Sequence, residues 1–513
     1  MTLTARICVP ICVKRADELA GAVKAAVEVA DVIEIRFDSF EQFEVFGALK
    51  EFGSLRQHVP QPFILTFRSA EQGGFREISK DERIEFWQQV AQLADQRAND
   101  WFDIEAELLF AAKELAAEVR GDRIICSQHD FKGMPEDLEQ HYERMTQTPA
   151  AIIKIAAQAN DATDCIPVFK LLERAQHDGC HLIAIAMGQA GVMTRILGPS
   201  RGAFLTYAAL DAEKVSAPGQ LTARELRDLY RVDRINRDTE IFGVVGRPVG
   251  HSLSPHIHNA SFAAIELNAI FFPFDVGNVA EFIRRMIHPK TRELDWKPRG
   301  LSVTAPHKST VTGHLDWIDV AAREIGAVNT IVVRADELHG YNTDAAGFVA
   351  PLRALEDTLT NARCGVIGAG GASRAAIWAL KQEGADVTVF ARDKTKAEFL
   401  AKVFGVKYQQ LSARSFAGYD LLINATALGT RGDREHETAV TAEQFRGVRL
   451  AYDLVYNPFE TRFLSEAHAA GCETIGGVEM LIAQAVEQFK LWTGTQPDVE
   501  VMRAAVSRRL GIK

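Results

Sequence analysis

The chain has 513 residues, 47% of them hydrophobic, and a formal net charge of −10. That length implies two domains of roughly 250 residues or three smaller ones. The acidic balance argues against a nucleic-acid partner, and no apolar run reaches the roughly 18 residues that span a membrane.

The N-terminal stretch Met1-Thr-Leu-Thr-Ala-Arg6 enters the strand-like run Ile7-Cys-Val-Pro-Ile-Cys-Val13 almost at once. It lacks the charged-then-apolar layout of a signal peptide and is too short for a transit peptide. The seven cysteines are scattered without a C-x-x-C pair. Cys8 and Cys12 share one strand face and read as core packing, so no metal site is expected. A reduced, cytoplasmic protein follows, with small-molecule partners, working as a monomer or homodimer.

Apolar runs then end near Val13, Phe37, Phe67, Glu105, Ser127, Ala156, Met187 and Tyr207. Charged, amphipathic stretches such as 16–30, 80–96 and 164–178 lie between them. Eight strands alternating with helices imply a (β/α)8 barrel over 1–235. A polar linker, 231–240, precedes a strand that runs into a glycine turn at Gly246, and the boundary falls near 236. The alternation breaks again over 352–361, before Cys364-Gly-Val-Ile-Gly-Ala-Gly-Gly-Ala-Ser373. The expected division is 236–345, then 346–490 with a dinucleotide-binding fold, then 491–513 as a C-terminal helix packed back on 236–345.

In a barrel, chemistry sits at the C-terminal ends of the strands. Lys154 interrupts the buried run Ala151-Ile-Ile-Lys-Ile-Ala-Ala157. Such a lysine either snorkels from the strand end or does chemistry, because burial favours the neutral amine that attacks a carbonyl. Glu34 and Arg36 end the second run, Arg68 the third and Glu105 the fourth. His129, with Asp130 and an aromatic residue beside it, follows the fifth; Arg195 follows the seventh; Ser216 and Gln220 follow the eighth. All fall on one rim. An amine forms an imine with a ketone, and a histidine removes the acidified neighbouring proton and returns it to a departing hydroxyl. The arginines suit a carboxylate substrate.

The segments Glu34-Ile-Arg-Phe-Asp38, Thr66-Phe-Arg-Ser-Ala70, Ser127-Gln-His-Asp-Phe131, Lys154-Ile-Ala156, Met187 to Arg195 and Ser216-Ala-Pro-Gly-Gln220 resemble type I 3-dehydroquinate dehydratases. The resemblance implies that Lys154 is the Schiff-base lysine and His129 the general acid and base. It implies that Arg195 holds the substrate carboxylate, with Glu34, Arg36, Arg68, Met187, Ser216 and Gln220 around the ring. Where relatives carry a glutamate before paired glycines, this chain has Gln72-Gly73-Gly74. That departure bears on the rate, because the glutamate orients the histidine.

In the second part, Gly368-Ala369-Gly370-Gly371-Ala372-Ser373 follows a strand and opens a helix, as a pyrophosphate site requires. After the next strand come Arg392, Asp393, Lys394 and Lys396. The basic residues suit a 2′-phosphate, favouring NADP over NAD, although Asp393 could serve an adenosine ribose. Gly250-His-Ser-Leu-Ser-Pro255 offers the hydroxyls of Ser252 and Ser254, suited to a carboxylate or to capping a helix. Lys308, in Ser302-Val-Thr-Ala-Pro-His-Lys308, and Asp344, in Asn342-Thr-Asp344, form the minimal pair for protonating a ketone oxygen as hydride arrives.

These segments, with Gly326-Ala-Val-Asn-Thr330, Asn424-Ala-Thr426, Asp453-Leu-Val-Tyr456 and Gly476-Gly-Val-Glu-Met-Leu-Ile-Ala-Gln484, resemble shikimate dehydrogenases. The resemblance implies a substrate carboxylate on Ser252 and Ser254. It places ring hydroxyls on Thr304, Asn329, Asp344 and Gln484, with Tyr456 nearby and Lys308 and Asp344 as the catalytic pair. The cofactor would lie on the glycine turn, Arg392, Lys396, Asn424, Thr426 and Gly477. The order of the two halves is similar to the bifunctional shikimate-pathway enzymes of plants. Rival readings are a quinate/shikimate dehydrogenase, a quinate-responsive sensor without turnover, and a barrel that only binds. The sensor has no need of Lys154, His129, Lys308 and Asp344 together.

Overall fold

Short runs rich in β-branched residues build the first eight strands: β1 (Ile7–Ile11), β2 (Val32–Arg36), β3 (Phe63–Thr66), β4 (Trp101–Glu105), β5 (Ile124–Asp130), β6 (Ile152–Gln158), β7 (His181–Met187) and β8 (Thr206–Tyr207). The computed structural model describes residues 5–92, 100–211, 219–355, 358–411 and 415–512. Ser216 lies outside them. The strands are parallel in the order β7-β6-β5-β4-β3-β2-β1-β8. A parallel bridge between Leu182 and Ala203 joins β7 to the approach to β8 and closes the barrel. Cys8, Val32, Ile64, Ile125, Ile152, Ile183 and Leu205 fill its interior. β5 and β6 run two or three residues past the ends expected from the apolar runs. Their polar tips, Gln128 to Asp130 and Gln158, stay paired in the sheet.

The chain packs as two compact units. One comprises Met1–Thr239, Pro273–Met286 and Arg292–Lys297; the other comprises Glu240–Phe272, Ile287–Thr291 and Pro298–Lys513. Six strands form a mixed sheet: β9 (Glu240–Gly246), β10 (Ala269–Asp275), β11 (Lys297–Val303), β12 (Trp317–Ile318), β13 (Thr330–Arg334) and β14 (Glu337–Tyr341), ordered β10-β9-β11-β13-β14-β12. Six more form a parallel sheet: β15 (Arg363–Ile367), β16 (Asp386–Ala391), β17 (Lys407–Gln410), β18 (Leu421–Asn424), β19 (Leu450–Asp453) and β20 (Glu473–Ile475). Its order, β17-β16-β15-β18-β19-β20, reverses direction between β15 and β18. Nucleotides bind at such switch points, in the crevice beyond the strand ends.

The long helix Gly477–Thr493 serves both sheets. Its Val478, Ile482, Ala485 and Phe489 enter the core that covers β9 and β10, together with Met502 and Val506 of the helix Val499–Leu510. Its Met480 joins the core of the parallel sheet instead. The helix Asp344–Ala354 crosses it at Gly347, where any Cβ would come within 2.8 Å of the backbone nitrogen of Gln484. Glycine is what lets these two helices approach so closely.

Candidate active sites

Strand alternation carries Glu34 and Arg36 to the same face of β2, and the parallel register sets Lys154 of β6 beside Ser127 of β5. Lys154 is 4% exposed. It is an ion-paired ammonium, not a lone charge among apolar groups. Its Nζ donates to Asp103 Oδ2 at 2.7 Å and to Tyr207 Oη at 2.8 Å, and stands 3.7 Å from Glu34 Oε1. Asp103 Oδ1 in turn accepts from Arg68, whose other Nη donates to His129 Nε2 at 3.0 Å. The Nε2 lone pair is therefore taken, and a neutral His129 carries its proton on Nδ1, which has no hydrogen-bond partner among the described residues. Burial, then Arg68 and Lys154, hold His129 well below the usual imidazole range. Burial would raise Asp103, but Arg68 and Lys154 outweigh it and keep the carboxylate ionised.

The rim beyond differs from the expectation in three places. Glu105 turns away to Arg83 and the Ser69 N–H, while Asp103, two residues earlier, meets the lysine. Asp130 accepts from the N–H groups of Lys132 and Gly133, closing its own turn, and does not support the His129 ring. Gln72 accepts from the His129 backbone N–H at 2.9 Å, so it positions the histidine through the main chain. Phe131 lies nearly parallel to the His129 ring.

Arg36 is held two-pronged by Asp38, at 3.0 and 2.7 Å. Arg195 is 2% exposed, has no carboxylate partner among the described residues, and is pushed down to about 10 by burial. Glu34, Arg36, Arg68, His129, Lys154, Met187, Arg195 and Gln220 line one pocket with Tyr207. Asp103, Tyr207 and Asp38 are the participants that the sequence reading passed over. Asp103 carried the same signal as Lys154, a charge inside an apolar strand.

The second pocket lies in the other unit. Ser252, Ser254, Thr304, Lys308, Asn329, Asp344, Ala372, Tyr456, Gly477 and Gln484 line it, together with Ser302, His251 and Gln488. Lys308 Nζ donates to Asp344 Oδ2 at 2.5 Å, and Asn329 Nδ2 donates to Asp344 Oδ1 at 2.8 Å. Thr330 and the Thr343 backbone N–H fix the Asn329 amide oxygen. Gln488, one turn beyond Gln484, accepts from Ser302 at 2.8 Å and donates to Thr330 at 3.0 Å, so the pocket floor is one bonded network. Ser252 Oγ accepts from the N–H of Ser254, the first residue of the helix Ser254–Ala264, whose N-cap position is Leu253 and carries no side-chain cap.

The glycine turn fits a dinucleotide. Gly368 has φ +122°, closed to most side chains, and a Cβ there would meet the Ala425 carbonyl. Ser373 replaces the third fingerprint glycine at no cost, because its buried hydroxyl accepts from the Gly370 N–H. Ala369, Gly370, Gly371 and Ala372 lead into the helix Gly371–Gln382, and Ala372 reaches the second pocket. Asp393 caps the helix Lys394–Phe404, accepting from the Lys396 N–H. Lys396 lies 3.9 Å from that same Asp393, and Arg392 is exposed, with no ion pair among the described residues. Asn424 is fully buried, bound to Asp453 and Thr426, and shapes its loop from beneath. Gly477 packs against the Val455 carbonyl.

A lysine-centred α/β barrel joined to a dinucleotide-binding unit with a lysine–aspartate pocket defines a two-site α/β enzyme. Residues 7–237 match the model of type I 3-dehydroquinase, 244–331 that of the shikimate dehydrogenase substrate binding domain, 352–453 that of shikimate/quinate 5-dehydrogenase, and 477–506 that of the shikimate 5′-dehydrogenase C-terminal domain. The chain is 33% identical to the chloroplastic bifunctional 3-dehydroquinate dehydratase/shikimate dehydrogenase of Arabidopsis thaliana, over 98% of this chain and 84% of that one. It is 39% identical to the NADP(+) shikimate dehydrogenase of Carboxydothermus hydrogenoformans, over 53% of this chain and 98% of that one. A crystal structure of a shikimate dehydrogenase in complex with NADP+ superposes with a TM-score of 0.50 at 36% identity, over 54% of this chain and 97% of that one. The chain belongs to the family of bifunctional 3-dehydroquinate dehydratase/shikimate dehydrogenases, enzymes of the shikimate pathway that use NADP.

Proposed function

We propose that the barrel dehydrates 3-dehydroquinate to 3-dehydroshikimate through an imine on Lys154, and that the second unit reduces 3-dehydroshikimate to shikimate. One observation carries the first half. Among the described residues in and around the barrel pocket, Arg36, Arg68, Lys154 and Arg195 face Glu34, Asp38 and Asp103, one cation more than carboxylates, and Arg195 is the cation left over. A substrate carboxylate on Arg195 balances the pocket. It also orients the ketone toward Nζ. His129, neutral, takes the neighbouring proton and returns it to the departing hydroxyl. To do so it must first give up its bond from Arg68, which then serves a substrate hydroxyl. Glu34, Gln220 and Ser216 bind the remaining hydroxyls, and Met187 packs against the ring.

In the second site Ser252 and Ser254 take the carboxylate, and Thr304, Asn329 and Gln484 take ring hydroxyls, with Tyr456 alongside. NADPH would rest on 368–373, with Arg392 and Lys396 at its 2′-phosphate and Thr426 and Gly477 along its length. Bound there, it supplies the hydride. Lys308 gives a proton to the ketone oxygen as negative charge builds on it, and Asp344 holds the ammonium in place.

The matched spans 7–237, 244–331 and 352–453 support divisions near 235 and 345, whereas the match over 477–506 and the helix Gly477–Thr493 both run across 490. No described helix is long and apolar enough to cross a membrane, and the seven free cysteines suit a reducing compartment such as the cytoplasm. We take the enzyme to act as a monomer or homodimer. The test is incubation with 3-dehydroquinate, without and with NADPH. Dehydroshikimate alone, then shikimate on adding cofactor, is the expected result; unchanged 3-dehydroquinate would refute the first half, and dehydroshikimate that persists with NADPH the second.

A further inference from the structure

We propose that Asp103 is a further catalytic residue of the barrel site, the fixed counter-ion of the Lys154 nitrogen through the whole imine cycle. The inference rests on the imine reading above and adds a group that contacts the reacting atom. Asp103 is 1% exposed and sits on β4, with one oxygen 2.7 Å from Lys154 Nζ and the other on Arg68. Each oxygen thus has its own cation, and the carboxylate is held from both sides.

The chemistry explains why a fixed anion belongs there. When the Lys154 ammonium condenses with a ketone, the C–N bond forms and the carbonyl oxygen departs as water, taking two of the three ammonium protons. The product is a protonated imine. The positive charge therefore begins and ends on the same nitrogen. Removal of the neighbouring C–H proton by His129 neutralises that nitrogen in the enamine. Return of the proton to the β-hydroxyl breaks the C–O bond, releases water and restores the positive nitrogen. Hydrolysis then regenerates ketone and ammonium. Asp103 stabilises every cationic member of this sequence without moving, and it pulls the enamine forward toward the charged product. Glu34, 3.7 Å from the same nitrogen, is a weaker candidate because its Oε1 already accepts from Thr66 at 2.7 Å.

The test uses the full chain, 3-dehydroquinate and borohydride. Wild type should acquire a reduced adduct at Lys154. Asp103→Asn removes the charge and keeps the shape, and should lower dehydration turnover by about a hundred-fold and slow adduct formation in parallel. Reduction of dehydroshikimate by the same molecules counts active enzyme. Asp103→Ala should be equally impaired, and added formate should restore its turnover in proportion to concentration, which a purely architectural residue would not show. A folded Asp103→Asn enzyme within threefold of wild type would overturn the proposal. So would loss of the barrel's thermal transition in both variants without recovery by formate. Failure of wild type to be labelled at Lys154 would instead refute the imine reading itself.

Discussion

Replacing His258 with phenylalanine should make the dehydrogenase unit more resistant to acid. His258 is 0% exposed on the helix Ser254–Ala264. Its ring lies 4.6 Å from that of Phe271, 5.0 Å from Trp492 and 6.3 Å from Phe262. Burial pushes it from an ordinary 6.5 down to about 3, with Gln488 beside it pulling slightly the other way. In the unfolded chain the same imidazole takes its proton near 6.5. Above that value neither state is protonated and the residue costs nothing. As the pH falls through 6.5, the unfolded state gains a proton that the folded state refuses, and stability drops until about pH 3. At pH 5 the gap is 1.5 pH units, or about 2 kcal/mol at 1.36 kcal/mol per unit. His258→Phe keeps an aromatic ring in the cluster and removes the titration. Guanidinium unfolding at pH 7.5 and pH 5, followed by Trp492 fluorescence, should show wild type losing about 2 kcal/mol more than the variant. Equal losses in the two proteins would refute the reasoning.

Lys154→Ala should abolish dehydration, measured by product absorbance, and leave dehydroshikimate reduction nearly intact, because the two units have separate cores. Lys308→Ala should cut reductase turnover by about a hundred- to ten-thousand-fold with little change in the shikimate KM, since Ser252 and Ser254 hold the carboxylate elsewhere. Asp344→Asn should also fall, and the double variant should be little worse than the worse single one; strictly additive losses in steady-state assays would show that the two act independently. Arg392→Ala should raise the KM for NADPH far more than that for NADH, and equal rises would make the arginine structural.

The barrel is readable in the sequence because strands buried on both faces leave continuous apolar runs, and Ile152 to Ala156 is such a run. The central strands of the parallel sheet are readable for the same reason, and its glycine turn marks the switch point, whereas the edge strands Lys407–Gln410 and Glu473–Ile475 are mostly polar and exposed and leave no such run. What hides is the choice among like groups. Asp103 and Glu105 lie on one face of one strand, and only packing sends one to Lys154 and the other to Arg83. Asp130 and Asp393 look available for a ring or a ribose, yet each answers a nearer demand, the unsatisfied N–H groups of its own turn or helix start. Tyr207 reads as an aromatic at a strand end, and its hydroxyl contact with Lys154 spans 53 residues. Gln488 was invisible because its partners, Ser302 and Thr330, lie more than 150 residues upstream.

The ionic cluster at the centre of the barrel also sets where evolution or design can gain robustness. Lys154, Asp103 and Arg68 occupy volume that a barrel concerned only with endurance would fill with leucine and isoleucine. Removing a single member strands its partners, whereas exchanging a whole buried ionic set for apolar groups of similar size is often neutral or gains about 1–4 kcal/mol. The dehydratase half is therefore where activity and durability pull hardest against each other, and a heat-hardened version of this barrel is most easily reached by giving up its chemistry.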